Sequence, residues 1–352
     1  MLLSVTTSRR AAGALRSSGA AAEDLTLAQA LVVDHGWNSC SHLVFDSGMR
    51  RWYSAAGDAL VAYVEVAGYR VVAGAPVASD ERLVSVAREF ELTSRRAGRR
   101  VSYFGAEERF VSAVGGRCTR HMIGHQPVWR AGSWARRFEA DRTLRAQRNR
   151  AANKGVAVTE RPARAEEERP LKACHAAWLS SKRMPRMGFI AHAGSDPGRP
   201  QGRRLFVAGQ PGRQVVAYLT ASPVPRRRGW LIDKVVRRPD APNGTTELLI
   251  DAAARVLTRG SERLTLGLAP LSSAFRSQTD GSPQTEDAIP RWLRHLEKLA
   301  LTRGKRFYDF EGLYAFKGKF GPDAWEPVYL LSTEPHLGLG AVLAVLGAFF
   351  LT

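Results

Sequence analysis

Two stretches of this chain gather side chains that can bind ions and handle protons. One is Arg306-Phe-Tyr-Asp-Phe-Glu-Gly-Leu-Tyr-Ala-Phe-Lys-Gly-Lys-Phe-Gly-Pro-Asp-Ala-Trp-Glu-Pro-Val-Tyr-Leu330. It puts aromatics, cations, acids and a Gly-Leu pair into one compact run, more chemistry than a packing element requires. Lys317 and Lys319 are two apart, so on a strand they would share a face. They would then form either a cationic patch among aromatics or a solvated sheet edge. The other stretch is Trp230-Leu-Ile-Asp-Lys-Val-Val-Arg-Arg-Pro-Asp-Ala-Pro-Asn-Gly-Thr-Thr-Glu-Leu-Leu-Ile250. It reads as a buried strand delivering Asp233 and Arg237, then a Pro/Asn-Gly turn, then a helix from Thr245 with Glu247 in its first turn. Unpaired N–H groups at such a helix start can hold an anion. The same turn could equally do no more than stop a strand and start a helix. A carboxylate inside a strand needs a partner, which gives Asp233 weight as a working residue.

The elements that must position these residues follow from periodicity. Residues 22–35 read as an amphipathic helix ended by Gly36. His42–Phe45 and Met49–Ser54 read as short strands, and 58–66 with 69–73 as a strand pair around Ala67-Gly68. A helix over 81–97, closed by Gly98, leads to a strand at 99–104. Residues 134–155 read as one basic helix. It carries Arg136, Arg137, Arg142, Arg145, Arg148, Arg150 and Lys154 against Glu139 and Asp141. Arg142, Arg145 and Arg148 are three apart and form a drifting stripe suited to phosphates, on RNA or on a membrane, or simply to water. A strand at 156–160 and a charged linker at 161–170 precede a second series. That series has a helix at 171–181, strands at 205–209, 214–222 and 229–236, a helix at 245–258, a strand at 264–268 and a helix at 289–304. Element order recurs in the two halves without a residue-level repeat. An α/β protein of two similar units is expected.

Bulk properties narrow the partners. The 352 residues exceed one ordinary core, and 44% hydrophobic with 24% charged is globular. A formal charge of +19 favours a polyanion, nucleic acid or anionic membrane. Cys40, Cys118 and Cys174 are odd in number and far apart, so no disulfide framework is expected. Cys118, His121 and His125 have a loosely zinc-like spacing without a fourth ligand, and no metal is expected. Residues 1–21 are expected to be disordered. The uncharged run Leu337–Leu351 is shorter than the roughly 20 residues of a spanning helix. It reads either as a membrane-dipping tail or as a buried closing helix. No nucleophilic triad, Walker loop or dinucleotide fingerprint is present, so a covalent enzyme intermediate is not favoured.

Three blocks together resemble the phosphatidylglycerol lysyltransferase family of aminoacyl-tRNA:phospholipid transferases. The closing run is similar to that family's aromatic-x-Phe-x-Gly-Leu-x-x-Phe-Lys-x-Lys-Phe-x-Pro-x-Trp pattern. Asp233, Arg237, Pro239, Pro242, Asn243, Gly244 and Leu249 follow its Asp/Arg/Pro/Pro-Asn-Gly block, with one residue of slack at Arg237 and Arg238. Leu266-Gly-Leu-Ala-Pro-Leu-Ser272 is similar to its Gly-x-Ala-Pro-Leu segment. Weaker echoes are Gly57–Tyr63, Gly74-Ala-Pro76 and Asn153-Lys-Gly155.

The resemblance implies two tandem acetyltransferase-like (GNAT-type) domains with mixed sheets flanked by helices. The first, at 22–133, would be a scaffold. The second, at 171–334, would carry the site, with 134–170 as basic helix and linker and 335–352 as tail. It implies transfer of an amino acid, lysine being the leading candidate, from aminoacyl-tRNA to phosphatidylglycerol at the cytoplasmic membrane face, with no cofactor. The flippase that precedes this portion in well-known members is not in this chain, so lipid export is not expected. Asp233 would bond the substrate amine or assist the hydroxyl. Arg237 or Arg238, with Lys317 and Lys319, would hold phosphate. Tyr308, Phe316 and Trp325 would stack a base or line the aminoacyl pocket. Glu247, Asp309 and Glu311 would face a cationic amino-acid side chain or balance nearby cations. Asn243 and Gly244 would shape the turn. The acyl-CoA loop Arg/Gln-x-x-Gly-x-Gly/Ala of ordinary acetyltransferases is reduced to Asn243-Gly244, which argues against coenzyme A. The competing readings are an N-acyltransferase acting on a peptide or small molecule, and a non-enzymatic RNA- or membrane-binding protein.

Overall fold

A computed structural model of the chain describes residues 23–163, 168–181, 202–210, 215–270 and 310–350. Tyr308, Asp309 and the helix expected over 289–304 lie outside the described residues. The first series holds β1 (Arg50–Tyr53), β2 (Leu60–Val66), β3 (Tyr69–Ala73), β4 (Arg100–Glu107) and β5 (Thr119–Arg130). The second holds β6 (Ala157–Arg161), β7 (Arg204–Gly209), β8 (Val215–Val224), β9 (Gly229–Arg237), β10 (Arg263–Thr265), β11 (Ala269–Pro270) and β12 (Ala324–Ser332). The helices are α1 (23–35), α2 (Leu83–Arg96), α3 (Glu108–Val114), α4 (Ser133–Ala140), α5 (Arg142–Asn153), α6 (Arg169–Ser180), α7 (Thr245–Leu257), α8 (Phe310–Gly318) and α9 (Leu339–Phe350).

All the strands among the described residues belong to one 12-stranded sheet, ordered β1-β2-β3-β4-β12-β5-β10-β9-β8-β7-β6, with β11 on β5. Two similar units are visible in it. In one, β1, β2 and β3 pair antiparallel and α2 crosses over to β4, parallel to β3. In the other, β6 to β9 pair antiparallel and α7 crosses over to β10, parallel to β9. Helical crossovers are how parallel neighbours are joined. The expected α/β class, with a mixed sheet flanked by helices, is therefore what forms. The closing strands are exchanged between the units. β5 pairs with β10, and β12 lies between β4 and β5. Backbone ladders thus cross the boundary between 22–133 and 171–334.

Side chains alternate between the faces of the first unit's sheet. Leu60, Ala62, Val64, Val71 and Ala73 bury against α1, the segment Ser39–Phe45 and α9. Val61, Tyr63 and Val72 bury against α2 and α3 on the other face. In the second unit α4, α5 and α7 cover a core that includes Trp129, Phe206, Leu219, Ile232 and Phe320.

Three expectations are corrected. His42–Phe45 is not a strand but part of a 3-10 turn, Ser39–Phe45. The Asn38 side chain accepts from Cys40 N at 2.8 Å and donates to Gly105 O at 3.1 Å, which offers the backbone a turn in place of a ladder. The basic stretch 134–155 is not one helix. Asp141 takes an extended conformation and its carboxylate accepts from Leu144 N at 2.9 Å, so it ends α4 and caps α5. Finally, the closing run does not set Lys317 and Lys319 on a strand: Lys317 lies on α8, and the strand begins only at Ala324.

The apolar tail forms α9 and packs on β2, β3 and β4. Ala341, Ala344, Val345 and Ala348 are buried there. A Cβ on Gly347 would sit 2.8 Å from Val66, so glycine lets this helix lie close to the sheet. Leu339, Leu343 and Leu346 on the remaining face are about half exposed. No helix among the described residues is long and apolar enough to cross a membrane.

Candidate active site

β9 pairs with β8 through a register shift. Thr220 faces Lys234 while Ala221 faces Ile232, so Asp233 is the extra residue of a bulge. A bulge re-aims the side chain it carries. Here it turns the Asp233 carboxylate, only 3% exposed, onto three donors. Ser222 Oγ donates at 2.6 Å, Thr220 Oγ1 donates to the other oxygen, and the Arg203 guanidinium stands at 3.4 Å. Arg203 also donates to Thr220 Oγ1 at 2.8 Å. Burial pushes the Asp233 carboxyl up. The charges of Arg203 and His42 and the two hydroxyls outweigh it and hold the group at about 2. Asp233 is therefore a fixed negative charge at neutral pH.

His42 comes from the first unit. The 3-10 turn packs against β8, the strand that carries Thr220 and Ser222. The buried His42 ring has Nδ1 2.9 Å from Ser39 O. Ser39 is itself fastened: its N–H donates to Glu107 Oε1 at 2.7 Å, and its hydroxyl to Gln126 Oε1 at 3.0 Å. Burial lowers the His42 pKa, as does Arg203, against the opposing pull of Asp233.

Lys317 approaches from α8. Its buried ammonium donates to Gly267 O at 2.9 Å and Leu268 O at 2.8 Å. Burial alone pulls its pKa from 10.5 down to about 7. Gly267 follows β10 at a φ of +70°, and a Cβ on it would lie 3.1 Å from Leu231. The parallel pairing of β10 with β9 ends with Thr265 opposite Leu231, two residues before Gly267 and Asp233 respectively. Leu268 packs against the core of the first unit, which includes Leu43 and Phe45 of the 3-10 turn. Asp233, Arg203 and His42 thus act on one another beside β8, while Lys317 is held by the carbonyls that follow β10.

A second cluster lies at the same C-terminal end of α8. Lys319 Nζ pairs with Glu247 Oε1 at 2.5 Å and sits 4.3 Å over the Phe316 ring. Tyr314 stacks on Trp325 with centroids 4.3 Å apart. Glu311 lies in the first turn of α8.

Residues 29–332 match the family model described as phosphatidylglycerol lysyltransferase, C-terminal. The chain belongs to this family. It is 24% identical over 307 residues to the phosphatidylglycerol lysyltransferase of Bacillus subtilis strain 168, a match covering 86% of this chain and 34% of that protein. It is 28% identical over 332 residues to an MprF-like domain protein of Mycobacterium tuberculosis, covering 91% of this chain and 66% of that one. The chain thus spans well under the full length of these relatives. Among solved structures it is similar to L-PGS from Bacillus licheniformis, with TM-score 0.74, 23% identity, and 93% and 95% of the two chains covered. It is likewise similar to the C-terminal domain of a putative lysylphosphatidylglycerol synthetase from Agrobacterium fabrum, with TM-score 0.72, 23% identity, and 93% and 96% covered. These likenesses establish a shared fold.

Within this lysyltransferase fold the expected site residues divide. Asp233 is held by Arg203, Thr220 and Ser222, Lys317 by the carbonyls of Gly267 and Leu268, and Glu247, Phe316, Lys319 and Trp325 gather around α8. Arg237 and Arg238 instead fasten the following turn, Arg237 to Ala241 O at 2.8 Å and Arg238 to Asp240 at 2.9 Å. Asn243 is exposed on that turn. Gly244, at a φ of +89°, seats α7 on α5, because a Cβ there would fall 1.9 Å from Gln147 O. The arginine stripe is largely consumed. Arg148 pairs with Glu139 at 2.6 Å and with the buried Asp251 at 3.2 Å, and Arg145 donates to the Glu139 carbonyl. Arg142 is exposed and has no partner among the described residues.

Two residues at the Asp233 cluster escape a reading of the sequence. Arg203 and His42 lie far from it along the chain. The only local hint was an Asn-Ser-Cys-Ser-His run whose Asn38 can nucleate a turn.

Proposed function

We propose that the protein transfers an aminoacyl group, lysyl in the first instance, from aminoacyl-tRNA to a hydroxyl of phosphatidylglycerol. The observation that carries this reading is a buried Asp233 carboxylate, supplied by one of the family's blocks and held ionised by Arg203, Thr220 and Ser222, while another block supplies the buried Lys317. An ionised carboxylate with a pKa of about 2 is a poor proton acceptor at neutral pH. Asp233 therefore serves as the partner of the substrate's ammonium rather than as a base. Lys317 has three N–H donors when charged, two of them given to carbonyls. The third is available to a phosphate or to the oxyanion of the tetrahedral adduct. Phe316, Trp325 and Glu247 line the approach for the aminoacyl end.

Exchange of one ester for another is redox-neutral, and the charged tRNA supplies an activated ester, so the reaction uses no cofactor or metal. Arg142, with neighbouring exposed cations, contacts tRNA phosphates. The half-exposed leucines of α9 rest on the anionic bilayer that holds the acceptor, at its cytoplasmic face. The test is incubation of the purified protein with radiolabelled aminoacyl-tRNAs and phosphatidylglycerol vesicles. RNase-sensitive label in the lipid phase supports the reading. No labelled lipid from any charged tRNA, with the protein folded, overturns it.

A further inference from the structure

The acyl transfer just described needs a group to take the proton of the attacking hydroxyl, and neither block of the closing half offers a satisfactory one. Asp233 is held ionised by three donors and a neighbouring imidazole. Lys317 has its N–H groups turned onto two carbonyls. The first half places an imidazole at the same cluster. His42 lies on a 3-10 turn pinned from four directions, by Asn38 on Gly105, by Ser39 on Glu107 and on Gln126, and by packing on β8. Its Nδ1 faces the Ser39 carbonyl, an acceptor, so Nδ1 must carry the hydrogen. The neutral ring then has its lone pair on Nε2, which has no hydrogen-bond partner among the described residues.

Resting on the transferase reading, we propose that His42 is the proton acceptor for the attacking hydroxyl, contributed to the Asp233 site by the other half of the chain. The lipid oxygen attacks the ester carbonyl carbon as its proton passes to Nε2. The tetrahedral adduct collapses with cleavage of the bond to the ribose oxygen. That oxygen takes the proton back from Nε2, so His42 ends neutral and nothing is oxidised or reduced. Asp233 and Arg203 are the charged groups acting on the ring. Asp233 stabilises the transient imidazolium, while Arg203 and burial keep the resting ring neutral. The exchange of β5 and β12 between units also gains a purpose. It locks the turn that carries the base to the strand that carries Asp233.

The test uses H42N, whose amide can still donate to Ser39 O but offers no basic nitrogen. H42Q serves as the second variant should H42N melt early. The expected result is a fall in kcat of about 10²–10⁴-fold with KM nearly unchanged. The acid limb of the wild-type pH profile should lie below 6.5 and be absent from the variant. A variant with kcat within about threefold of wild type overturns the proposal, as does an acid limb that persists near pH 7, which would assign the proton to Lys317. A readout independent of activity is the ¹⁵N spectrum of the His42 ring in the intact protein. A proton on Nε2 rather than Nδ1 contradicts the assignment even if the transferase reading stands. Wild-type protein without transfer activity, but with the Nδ1–H form and a coupling of the His42 titration to D233N, would overturn the reaction and this role with it.

Discussion

The Asp233 cluster links stability to pH in a way that can be worked out in advance. The carboxyl falls from 3.8 to about 2 on folding. A carboxyl whose folded pKa is depressed stabilises the fold above its unfolded pKa, and that contribution is lost as pH drops through the folded value. At 1.36 kcal/mol per pKa unit the contribution is about 2 kcal/mol. Wild-type protein should therefore lose about 2 kcal/mol between pH 4 and pH 2 from this one group. D233N should lack that segment of the curve. Arg203→Met goes further, because it removes the principal counter-charge and leaves burial in control. The carboxyl would then titrate above 3.8, and its contribution would be present at low pH and lost as pH rises. At pH 7 the variant would hold an uncompensated buried charge, at a cost of about 3–5 kcal/mol. Urea unfolding of the three proteins from pH 2 to pH 7 measures all of this. Superimposable curves for wild type and D233N between pH 2 and pH 4 would refute the reasoning.

Lys317→Met should abolish transfer. It should also remove the gain in stability that wild type shows as pH rises above about 7, where the folded lysine is neutral and the unfolded one still charged; paired rate and unfolding measurements check both. Gly244→Ala places a Cβ against Gln147 O in a left-handed backbone. It should cost about 2–4 kcal/mol, read by denaturant midpoint. Arg142→Glu should weaken tRNA binding and flatten its salt dependence by about one phosphate while leaving the melting temperature unchanged. Arg148→Glu should instead destabilise the fold by about 3 kcal/mol, since the buried Asp251 loses a partner.

The local elements of the second unit were legible because short-range signals agreed. The apolar runs Trp230-Leu-Ile232 and Val235-Val236 marked the strand that runs Gly229–Arg237, and the Asn-Gly turn marked the start of Thr245–Leu257. Asp233 and Lys317 stood out in the sequence for their residue types, and both side chains are buried. The elements that failed were those fixed by distant partners. The turn at Ser39–Phe45 is buried almost throughout, so no two-residue alternation could distinguish it from a strand. On a strand Lys317 and Lys319 would share one face, yet a nine-residue helix forms where Lys317 reaches the two carbonyls that follow β10. The break at Asp141 did carry a signal, an N-cap residue before a helical run. The continuity of basic residues masked it. Exchange of β5 and β12 is set by register between segments about 200 residues apart, and no local pattern encodes it.

The most direct measurement is mass spectrometry of phosphatidylglycerol vesicles after incubation with lysyl-tRNA and either wild-type protein or D233N. The expected result is lysyl-phosphatidylglycerol formed by wild type, abolished by RNase and reduced at least about a hundredfold in D233N at equal folded concentration. Equal product from the two proteins would contradict the central role given to Asp233. Product absent from both, with the fold intact and other charged tRNAs also silent, would contradict the transfer itself.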